Sequence, residues 1–336
     1  MQNTLKRWQL SRFGTDQLSL EEHPLPTPGP GEILVRVEAA ALNYRDKLMI
    51  DNGMGMALAM PFSPGSDMCG TVVSCGPGTS RWRAGKRVIS TFWAGWTDGV
   101  FPAQAIPLGG PGPGMLASHV VINERWAVAA PKSLSPVQAS TLPCAGLTAW
   151  FALVETGALR AGQTVLIHGT GGVALFGLQI ARAHGASAIV LSGSDEKLAK
   201  ALALGASHGI NRHTEADWSA AVRALTSGRG VDHVLELVGG ANLGRSLQAT
   251  AQAGRVSVIG VLEGTEVSSS VFPFLGARAI VQGIGVGHRR ALEDLVRAVD
   301  TTGLQPVIAA EYPHTALPEA LAHLARGPFG KVVVTF

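Results

Sequence analysis

Cysteine is scarce in this chain of 336 residues, which contains only Cys69, Cys75 and Cys144. No two of them form a Cys-x-x-Cys pair, so the sequence does not support a zinc knuckle or a redox dithiol. Cys69 and Cys75 lie in an apolar, glycine-rich stretch, where we expect small buried side chains.

The chain also lacks a large excess of charge of one sign, and it lacks long apolar runs. Lys and Arg number 27 and Asp and Glu 24, scattered without a basic stripe, which disfavours a nucleic-acid partner. No apolar run reaches membrane-spanning length, and residues 1–8 contain no signal-peptide core. The hydrophobic fraction of 46% is that of a globular protein. We therefore expect a cytoplasmic protein with no membrane partner, long enough for two domains.

The main motif in the second half of the chain is a short turn at residues 168–174, with the sequence HGTGGVA. An apolar, β-branched run precedes it, and apolar residues at helical spacing follow it. This strand–turn–helix context makes a Gly-x-Gly-x-x-Ala pattern indicative of a dinucleotide site. Gly169 would allow the tight turn, Gly171 the approach of a pyrophosphate, and Ala174 close packing of helix on strand. The helix N-terminus would offer free N–H groups to the phosphates.

Short strand patterns separated by glycine and proline dominate the first 130 residues. They occur at 33–39, 71–73, 87–89 and 119–122. Such closely spaced strands indicate a barrel-like β domain. Residues 93–117, rich in Gly, Pro and Trp, predict a long loop that forms a lid or the wall of a cleft.

From Ser135 onwards strand and helix patterns alternate, which predicts a parallel, doubly wound sheet of the α/β class. We predict strands at 164–168, 188–191, 231–237 and 255–259, and helices at 195–204, 218–225 and 243–250. Ligands bind beyond the carboxyl ends of the strands of such a sheet. Helices at 289–299 and 317–325 and a strand at 331–336 should rejoin the first domain. The predicted domains are residues 1–130 with 286–336, and residues 131–285.

Several segments occur in an order typical of one superfamily. They are PGPGEILV at 28–35, AALNYRD at 40–46, PGSDMCGTV at 64–72, LPCAGLTAW at 142–150, the glycine turn, and GKVV at 330–333. On these motifs, essentially the whole chain resembles the medium-chain dehydrogenase/reductase superfamily. The resemblance implies a GroES-like β-barrel-type catalytic domain, a doubly wound Rossmann nucleotide-binding domain, and a homodimer.

The zinc alcohol dehydrogenases of this superfamily bind their catalytic metal through a Cys, a His-Glu pair and a second Cys. This chain has Asn43 at the first position, Ser66-Asp67 at the second and Cys144 at the last. Zinc needs three protein ligands and an open position. The structural zinc lobe is missing too, because residues 90–120 contain no cysteine. We therefore predict that the protein binds no metal.

Without a metal to stabilise an alkoxide, reduction of a quinone or an activated alkene is the easier chemistry. The hydride then reaches an electron-poor carbon, and the developing oxyanion needs only hydrogen bonds and a proton. The zinc-free branch of the superfamily resembles quinone oxidoreductases and enone reductases. The catalytic candidates are Asn43, which would orient the nicotinamide ribose or bind a substrate carbonyl, Tyr44 as proton donor, and Asp46. Arg45 and Asp46 would pair, either as an active-site clamp or as a fold-stabilising salt bridge.

The strand after the glycine turn ends in Ser192-Gly193-Ser194 with no acidic residue to bind a ribose diol. Ser192 and Ser194 could bind a 2′-phosphate, with charge from Lys197 and Arg212. This pattern favours NADPH, with NADH possible; alternatively, Lys197 and Arg212 are solvated surface residues. Arg289 would touch the cofactor or cap a nearby carboxylate. The predicted cofactor-binding residues are Thr148, Gly169, Thr170, Gly171, Gly172, Val173, Ser192, Ser194, Lys197, Arg212, Gly239, Val261, Leu262 and Arg289.

Three functions remain open on the sequence alone. The first is a zinc-independent, NADPH-dependent oxidoreductase that transfers hydride to a quinone or activated alkene. The second is an NAD(P)-dependent alcohol or aldehyde dehydrogenase without zinc. The third is a non-enzymatic NADPH-binding protein of the crystallin-like or redox-sensing kind. Cys144 is either a reactive thiol or an inert packing residue, and we favour the inert role.

Overall fold

A computed structural model describes residues 3–267 and 269–336. Within these residues the chain divides into two compact units, one of residues up to 147 together with 287–336, the other of residues 148–286. The first unit runs past the predicted limit at residue 130 because the helix Pro136–Ala139 packs against strands of that unit. The two units are described separately.

The first segment of unit 1 is mainly β, with one helix before the long central loop. Its strands are β1 (Thr4–Leu10), β2 (Leu18–Pro24), β3 (Glu32–Ala41), β4 (Asp67–Cys75), β5 (Arg87–Ser90), β6 (Trp93–Ala94), β7 (Ile106–Pro107), β8 (His119–Asn123) and β9 (Ala127–Ala129). Its helices are α1 (Tyr44–Asn52) and α2 (Pro136–Ala139), followed by a π-helical turn, Leu142–Gly146.

Unit 2 alternates strands with helices, as the sequence predicts. Its strands are β10 (Thr164–His168), β11 (Ser187–Ser192), β12 (His208–Asn211), β13 (Val231–Glu236), β14 (Thr250–Val258) and β15 (Ile280–Gly283). Helix α3 (Leu147–Trp150) leads into it through a π-helical turn, Phe151–Glu155. The other helices are α4 (Gly172–Ala183), α5 (Asp195–Ala203), α6 (Trp218–Leu225), α7 (Asn242–Ala249) and α8 (Val271–Ala277).

The last segment returns to unit 1 with α9 (Arg289–Thr302), β16 (Ile308–Pro313), α10 (Leu317–Ala325) and β17 (Lys331–Thr335). Strand β17 pairs antiparallel with β3, so the tail completes the sheet of the first segment. Among the described residues the order of that sheet is β16-β17-β3-β4-β5-β9, with β8 also paired to β3. Apolar residues at alternate positions of β3, such as Val35 and Val37, point into its core.

The sheet of unit 2 is parallel throughout its described strands and has the order β12-β11-β10-β13-β14-β15. Counted along unit 2 alone, this is the doubly wound order 3-2-1-4-5-6, whose ligand crevice lies where the order reverses, between β10 and β13. Leu166, Val234 and Val256 from neighbouring strands form its core with Trp218 of α6.

Residues 93–117 are more ordered than the predicted loop. Strand β6 pairs with β7, and Phe101 packs edge-on against Trp93 at 4.8 Å and against Trp96 at 5.1 Å between ring centroids. The aromatic side chains therefore hold this stretch against itself. No helix in the described part of the chain is long and apolar enough to cross a membrane.

Candidate active site

The carboxyl ends of the six parallel strands described in unit 2 lie at one edge of the sheet. The register places His168 beside Leu191 and Ile167 beside Leu235, so the loops after these strands start at the same level. The predicted glycine turn, the serines after β11 and Gly239 after β13 therefore share this edge. It is the edge at which a doubly wound sheet binds its ligand.

The glycine turn after β10 has the geometry that a pyrophosphate site needs. Gly169 has a φ of +79°, which favours glycine, and its N–H donates to the carbonyl of Leu191 at 2.7 Å. A Cβ built on Gly169 or Gly171 would meet no atom within 4 Å, so the space in front of the turn is open. Helix α4 begins at Gly172 without a side-chain cap, which leaves its first N–H groups for an anion. Thr170 lies in the same turn, and Val173 is the second residue of α4.

The end of β11 brings most of the predicted phosphate ligands together. Ser192 accepts from the N–H of Ser194, and Ser194 caps α5 by accepting from the N–H of Lys197, both at 3.3 Å. The N–H of Arg212 donates to the carbonyl of Ser192 at 3.0 Å. Its guanidinium lies 3.6 Å from Glu263, partly exposed. Asp195, the first acid after the strand, accepts from the side-chain amide of Asn211.

The remaining predicted cofactor residues are spread over both units. Gly239 has a φ of +78°, and a Cβ there would lie 2.5 Å from the carbonyl oxygen of Gly260. Val261 and Leu262 are exposed after β14, and Thr148 is buried in α3. Arg289 begins α9 in unit 1, where its guanidinium lies 3.5 Å from Glu293. The role of Arg289 stays a prediction.

A buried polar network that the sequence analysis did not predict lies behind the glycine turn. The carboxylate of Glu236 accepts from the N–H groups of Val238 and Gly239, from the amide of Asn242 and from the hydroxyl of Ser246. His168 contacts the amide of Asn242 at 2.8 Å and the hydroxyl of Ser246 at 3.3 Å.

Asn242 has only N–H donors at its amide nitrogen, so Nδ1 of His168 is the acceptor and Nε2 carries the proton toward Ser246. Burial lowers the pKa of His168, in agreement with a neutral imidazole. The network joins the glycine turn to the Gly239 loop. The only sequence signal for it was that His168 and Glu236 each end a strand at the same edge.

Unit 1 brings together the four positions that hold zinc in the resembling alcohol dehydrogenases. The amide nitrogen of Asn43 lies 3.4 Å from the hydroxyl of Ser66, which donates to Asp67 at 2.6 Å. The other carboxylate oxygen of Asp67 accepts from the backbone N–H of Cys144 at 3.0 Å. Asn43, Ser66, Asp67 and the backbone of Cys144 are thus joined by one chain of hydrogen bonds, and the first three side chains are buried.

A lysine from the closing strand completes this cluster, and the sequence analysis gave it no role. Lys331, the first residue of β17, is 4% exposed. Its ammonium donates to the carbonyl of Leu42 at 2.5 Å and to the side-chain oxygen of Asn43 at 2.6 Å. We call Asn43, Ser66, Asp67, Cys144 and Lys331 the amide–lysine cluster.

The predicted pairing of Arg45 with Asp46 is wrong. Arg45 donates to the carbonyls of Leu108 and Gly110 and lies over the ring of Phe92. Asp46 is fully buried and accepts from the N–H of Asn43 at 2.8 Å, where the two residues form a capping box at the start of α1. The carboxylate thus holds the helix N-terminus. The three-residue spacing from Asn43 to Asp46 was a signal for this cap.

The catalytic candidates differ in exposure. Tyr44 is 42% exposed, and its hydroxyl makes no hydrogen bond with any residue that the structure describes. Asn43 is buried and its amide already contacts Lys331 and Ser66, whereas Asp46 is enclosed. The roles of all three in catalysis remain predictions.

Burial controls the ionisation of the acidic groups near the amide–lysine cluster. It raises the pKa of Asp46 to about 6, against the nearby charge of Arg45 and the N–H of Asn43. It also raises the pKa of Asp67, although the ammonium of Lys331 and the hydroxyl of Ser66 act in the other direction. Burial and the charge of Asp67 raise the pKa of the Cys144 thiol far above neutrality. Cys144 is therefore protonated, as expected for an inert thiol.

The amide–lysine cluster does not fit a zinc ion. The amide of Asn43 and the hydroxyl of Ser66 are poor ligands for zinc, which prefers thiolate, imidazole and carboxylate, so only Cys144 and Asp67 remain as suitable donors where zinc needs three protein ligands. The Lys331 ammonium bonds the amide oxygen that a metal would need. Within residues 3–267 and 269–336, no group of three or more His, Cys, Asp or Glu side chains is arranged to hold a metal ion.

Comparisons with known proteins agree with both units. A family model for the alcohol dehydrogenase GroES-like domain matches residues 29–132, and one for zinc-binding dehydrogenases matches residues 172–301. A zinc-type alcohol dehydrogenase-like protein of Schizosaccharomyces pombe is 36% identical over 331 residues, 96% of each chain. The quinone oxidoreductase of Rattus norvegicus is 27% identical over 333 residues, 96% of this chain and 94% of the relative.

Two solved structures share the whole fold. One from Sinorhizobium meliloti 1021, provisionally named an alcohol dehydrogenase, is 58% identical with a TM-score of 0.97 over 100% of both chains. An NAD-dependent alcohol dehydrogenase is 30% identical with a TM-score of 0.90, over 98% of this chain and 99% of that one. The chain therefore belongs to the medium-chain dehydrogenase/reductase superfamily and is one of its NAD(P)-dependent oxidoreductases. The predicted α/β fold, a GroES-like domain with a Rossmann domain, is confirmed.

The open space before the glycine turn generates a first prediction. Gly171→Ala should weaken NADPH binding by about tenfold, because the methyl group occupies the space that a pyrophosphate needs. The unfolding temperature should stay unchanged, since Gly171 has an ordinary φ of −78° and a Cβ there meets no protein atom. Cofactor fluorescence titration and thermal unfolding measure the two effects.

Gly276→Ala is the matched control, because a Cβ at that helical position also meets no atom. It should leave the affinity for NADPH unchanged. Equal NADPH affinity of Gly171→Ala and the unsubstituted protein would contradict a pyrophosphate site at this turn.

The buried carboxyl of Asp46 generates a second prediction, on stability against pH. Its pKa is about 6 in the folded protein against an ordinary value of 3.8, so the folded state binds this proton more tightly. The tighter binding of this proton stabilises the folded protein below about pH 4, and the stabilisation is lost as the pH rises through 6. The free energy of unfolding changes by about 3 kcal/mol over this range. Asp46→Asn keeps an acceptor for the N–H of Asn43 but does not ionise.

The stability of Asp46→Asn relative to the unsubstituted protein should therefore increase between pH 4 and pH 6.5 and then level off. Urea unfolding midpoints over this range measure it. Asp16→Asn, at an exposed position, controls for the loss of one negative charge. A stability difference that stays flat or falls over this range would show that Asp46 is ionised at no cost.

Proposed function

We propose that the protein reduces quinones or activated alkenes with NADPH and without zinc. The amide–lysine cluster carries this proposal, because an amide, a hydroxyl, a buried carboxyl group and a thiol occupy the positions where the zinc enzymes have metal ligands, and the ammonium of Lys331 bonds the amide oxygen. The similarity to a quinone oxidoreductase over nearly the whole chain supports it. A hydride acceptor that is already electron-poor needs no Lewis acid.

In the proposed mechanism each unit of the chain has a separate task. The bound nicotinamide supplies the hydride. In unit 2 the glycine turn and the N-terminus of α4 bind the phosphates of the cofactor. In unit 1 the cluster presents N–H donors and a fixed positive charge to the substrate oxygen on which negative charge develops.

The proton for that oxygen comes from Tyr44, whose hydroxyl is exposed and hydrogen-bonded to none of the described residues. Two electrons and one hydrogen thus arrive as hydride at an electron-poor carbon, and the proton from Tyr44 neutralises the enolate or hydroquinone oxygen. Water then returns a proton to Tyr44. The substrate is a small molecule.

The main alternative is oxidation of an alcohol without zinc. The names of two similar relatives favour an alcohol as substrate. A panel of NADPH with quinones, enones and aldehydes, and of NADP⁺ with alcohols, separates the two functions. Quinones or enones should be reduced with the highest kcat/KM. Dominant alcohol oxidation would contradict the proposal. Cofactor binding without any turnover would favour the non-enzymatic role that the sequence left open.

We propose NADPH as the preferred cofactor because the backbone N–H of Arg212 bonds the carbonyl of Ser192 and so holds Arg212 beside the end of β11, while Asp195 is bonded to Asn211. The KM for NADPH should be lower than that for NADH. Arg212→Ala should raise the KM for NADPH about tenfold and leave the KM for NADH nearly unchanged, since only the 2′-phosphate loses a charged partner. Steady-state kinetics with both cofactors measure this. Arg182→Ala serves as control, and a preference for NADH in the unsubstituted protein would refute the assignment.

We further propose a homodimer. Strand β15 ends the described order of the unit 2 sheet, and Ile280 and Val281 on it are exposed together with Phe272 of α8, which is 79% exposed. An edge strand with apolar side chains is a template for pairing, and a second copy of the same edge closes it by twofold symmetry. A mass of one chain by light scattering at micromolar concentration would contradict the dimer.

A further inference from the structure

The partners of Lys331 are unusual for a buried cation. Taking an ammonium out of water is costly, and buried lysines are ordinarily paired with carboxylates. The hydrogen bonds of Lys331 instead go to two oxygens without formal charge, the carbonyl of Leu42 and the amide oxygen of Asn43. A lysine retained only as a counter-ion would contact Asp46 or Asp67 directly. The observed partners therefore point to a task at the Asn43 amide.

The contact with Lys331 determines which way the Asn43 amide points. An ammonium has donors only, so the atom facing it must be the amide oxygen. The amide nitrogen then faces Ser66, at 3.4 Å from its hydroxyl. Ser66 donates to Asp67, and Asp67 also accepts from the N–H of Cys144, so each polar group of the cluster has one orientation. Without the ammonium the amide could turn over.

The charge of Lys331 also acts across the cluster. It lowers the pKa of Asp67 and, more weakly, that of Asp46, against the effect of burial. In a site that excludes water a fixed positive charge interacts strongly with an oxygen that gains negative charge. Lys331 is thus the one residue of the amide–lysine cluster that supplies positive charge where the zinc enzymes use a metal.

We propose that Lys331 is a positioning residue of the active site, which orients the Asn43 amide and supplies the fixed positive charge that favours hydride transfer to the substrate. This inference rests on the proposed function. A bound nicotinamide would supply the hydride for the substrate carbon. The displaced electron pair moves to the substrate oxygen, Tyr44 gives that oxygen its proton, and Lys331 keeps its own protons throughout. Its effect reaches the substrate through Asn43.

A double-mutant cycle tests this coupling. Lys331→Met, Asn43→Ala and the double variant are compared for kcat and KM with the best acceptor of the panel, and for the dissociation constant of NADPH. Lys331→Met should lower kcat by about 100-fold, the loss typical for one oxyanion donor. The affinity for NADPH should change by less than about twofold. The double variant should be no more than about threefold worse than the poorer single variant, because interacting residues are not additive.

Two further variants keep the test decisive. Lys331→Arg retains a cation and serves as the second variant if Lys331→Met does not fold. Its kcat should be at least about tenfold above that of Lys331→Met. If Lys331→Met is unfolded, the same comparison is made with Asn43→Ala. Lys86→Met, at an exposed position in unit 1, controls for the loss of one lysine and should have unchanged kcat.

An unchanged kcat in Lys331→Met, or losses in the two single variants that multiply in the double variant, would overturn the role of Lys331 alone. An unsubstituted protein that reduces neither quinones nor enones would overturn the proposed function, and this inference with it. The unsubstituted protein therefore tests the proposed function, and the Lys331 variants test the role of Lys331.

Discussion

The parallel pairing of β10 with β11 on one side and with β13 on the other is the constraint on which the nucleotide half of the protein depends. Parallel strands end at one edge, so this pairing carries the glycine turn, the serines after β11 and the Gly239 loop to the same place. The buried carboxylate of Glu236 then joins two of these loops, because it accepts from the Gly239 loop and, through Asn242, contacts His168. The register of the parallel strands determines which loops meet at this edge, and the hydrogen bonds of Glu236 hold two of these loops together.

Unit 1 buries ionisable side chains, which is energetically costly. Asp46, Asp67 and Lys331 are all nearly inaccessible, and each must be stabilised by hydrogen bonds. Asp46 caps a helix, Asp67 accepts from Ser66 and from the N–H of Cys144, and Lys331 bonds two neutral oxygens. Groups at such a cost are retained for specificity or function rather than for stability. The proposed reaction gives the burial of Lys331 a purpose, since its positive charge would favour the build-up of negative charge on the substrate oxygen.

The sequence predicted the fold well, because strands and helices are recognisable from the spacing of their apolar residues. The helices at 218–225 and 317–325 have the predicted bounds, and the alternation of strands and helices in unit 2 is confirmed. Helix α1, helix α8 and strands β12, β15 and β16 were not predicted, since they are short or have mixed apolar patterns. Helix α1 in particular was not predicted because the residues from Asn43 to Asp46 were interpreted as catalytic groups or as a salt bridge and not as the start of a helix.

The site was predicted only in part. Glycine and serine turns follow strands and can be placed from the sequence, whereas contacts between distant residues cannot. Lys331 lies 288 positions from Asn43, and nothing in its local sequence shows that the two touch. The pairing of Arg45 with Asp46 was expected from adjacency, yet neighbours on a helix point to different sides, and each found another partner.

The most direct test of the account is the steady-state rate of NADPH oxidation with a quinone acceptor, measured on protein dialysed exhaustively against a strong zinc chelator. We expect kcat and KM to be the same before and after this treatment and not to respond to added zinc. Loss of the activity on chelation and its recovery with stoichiometric zinc would contradict it.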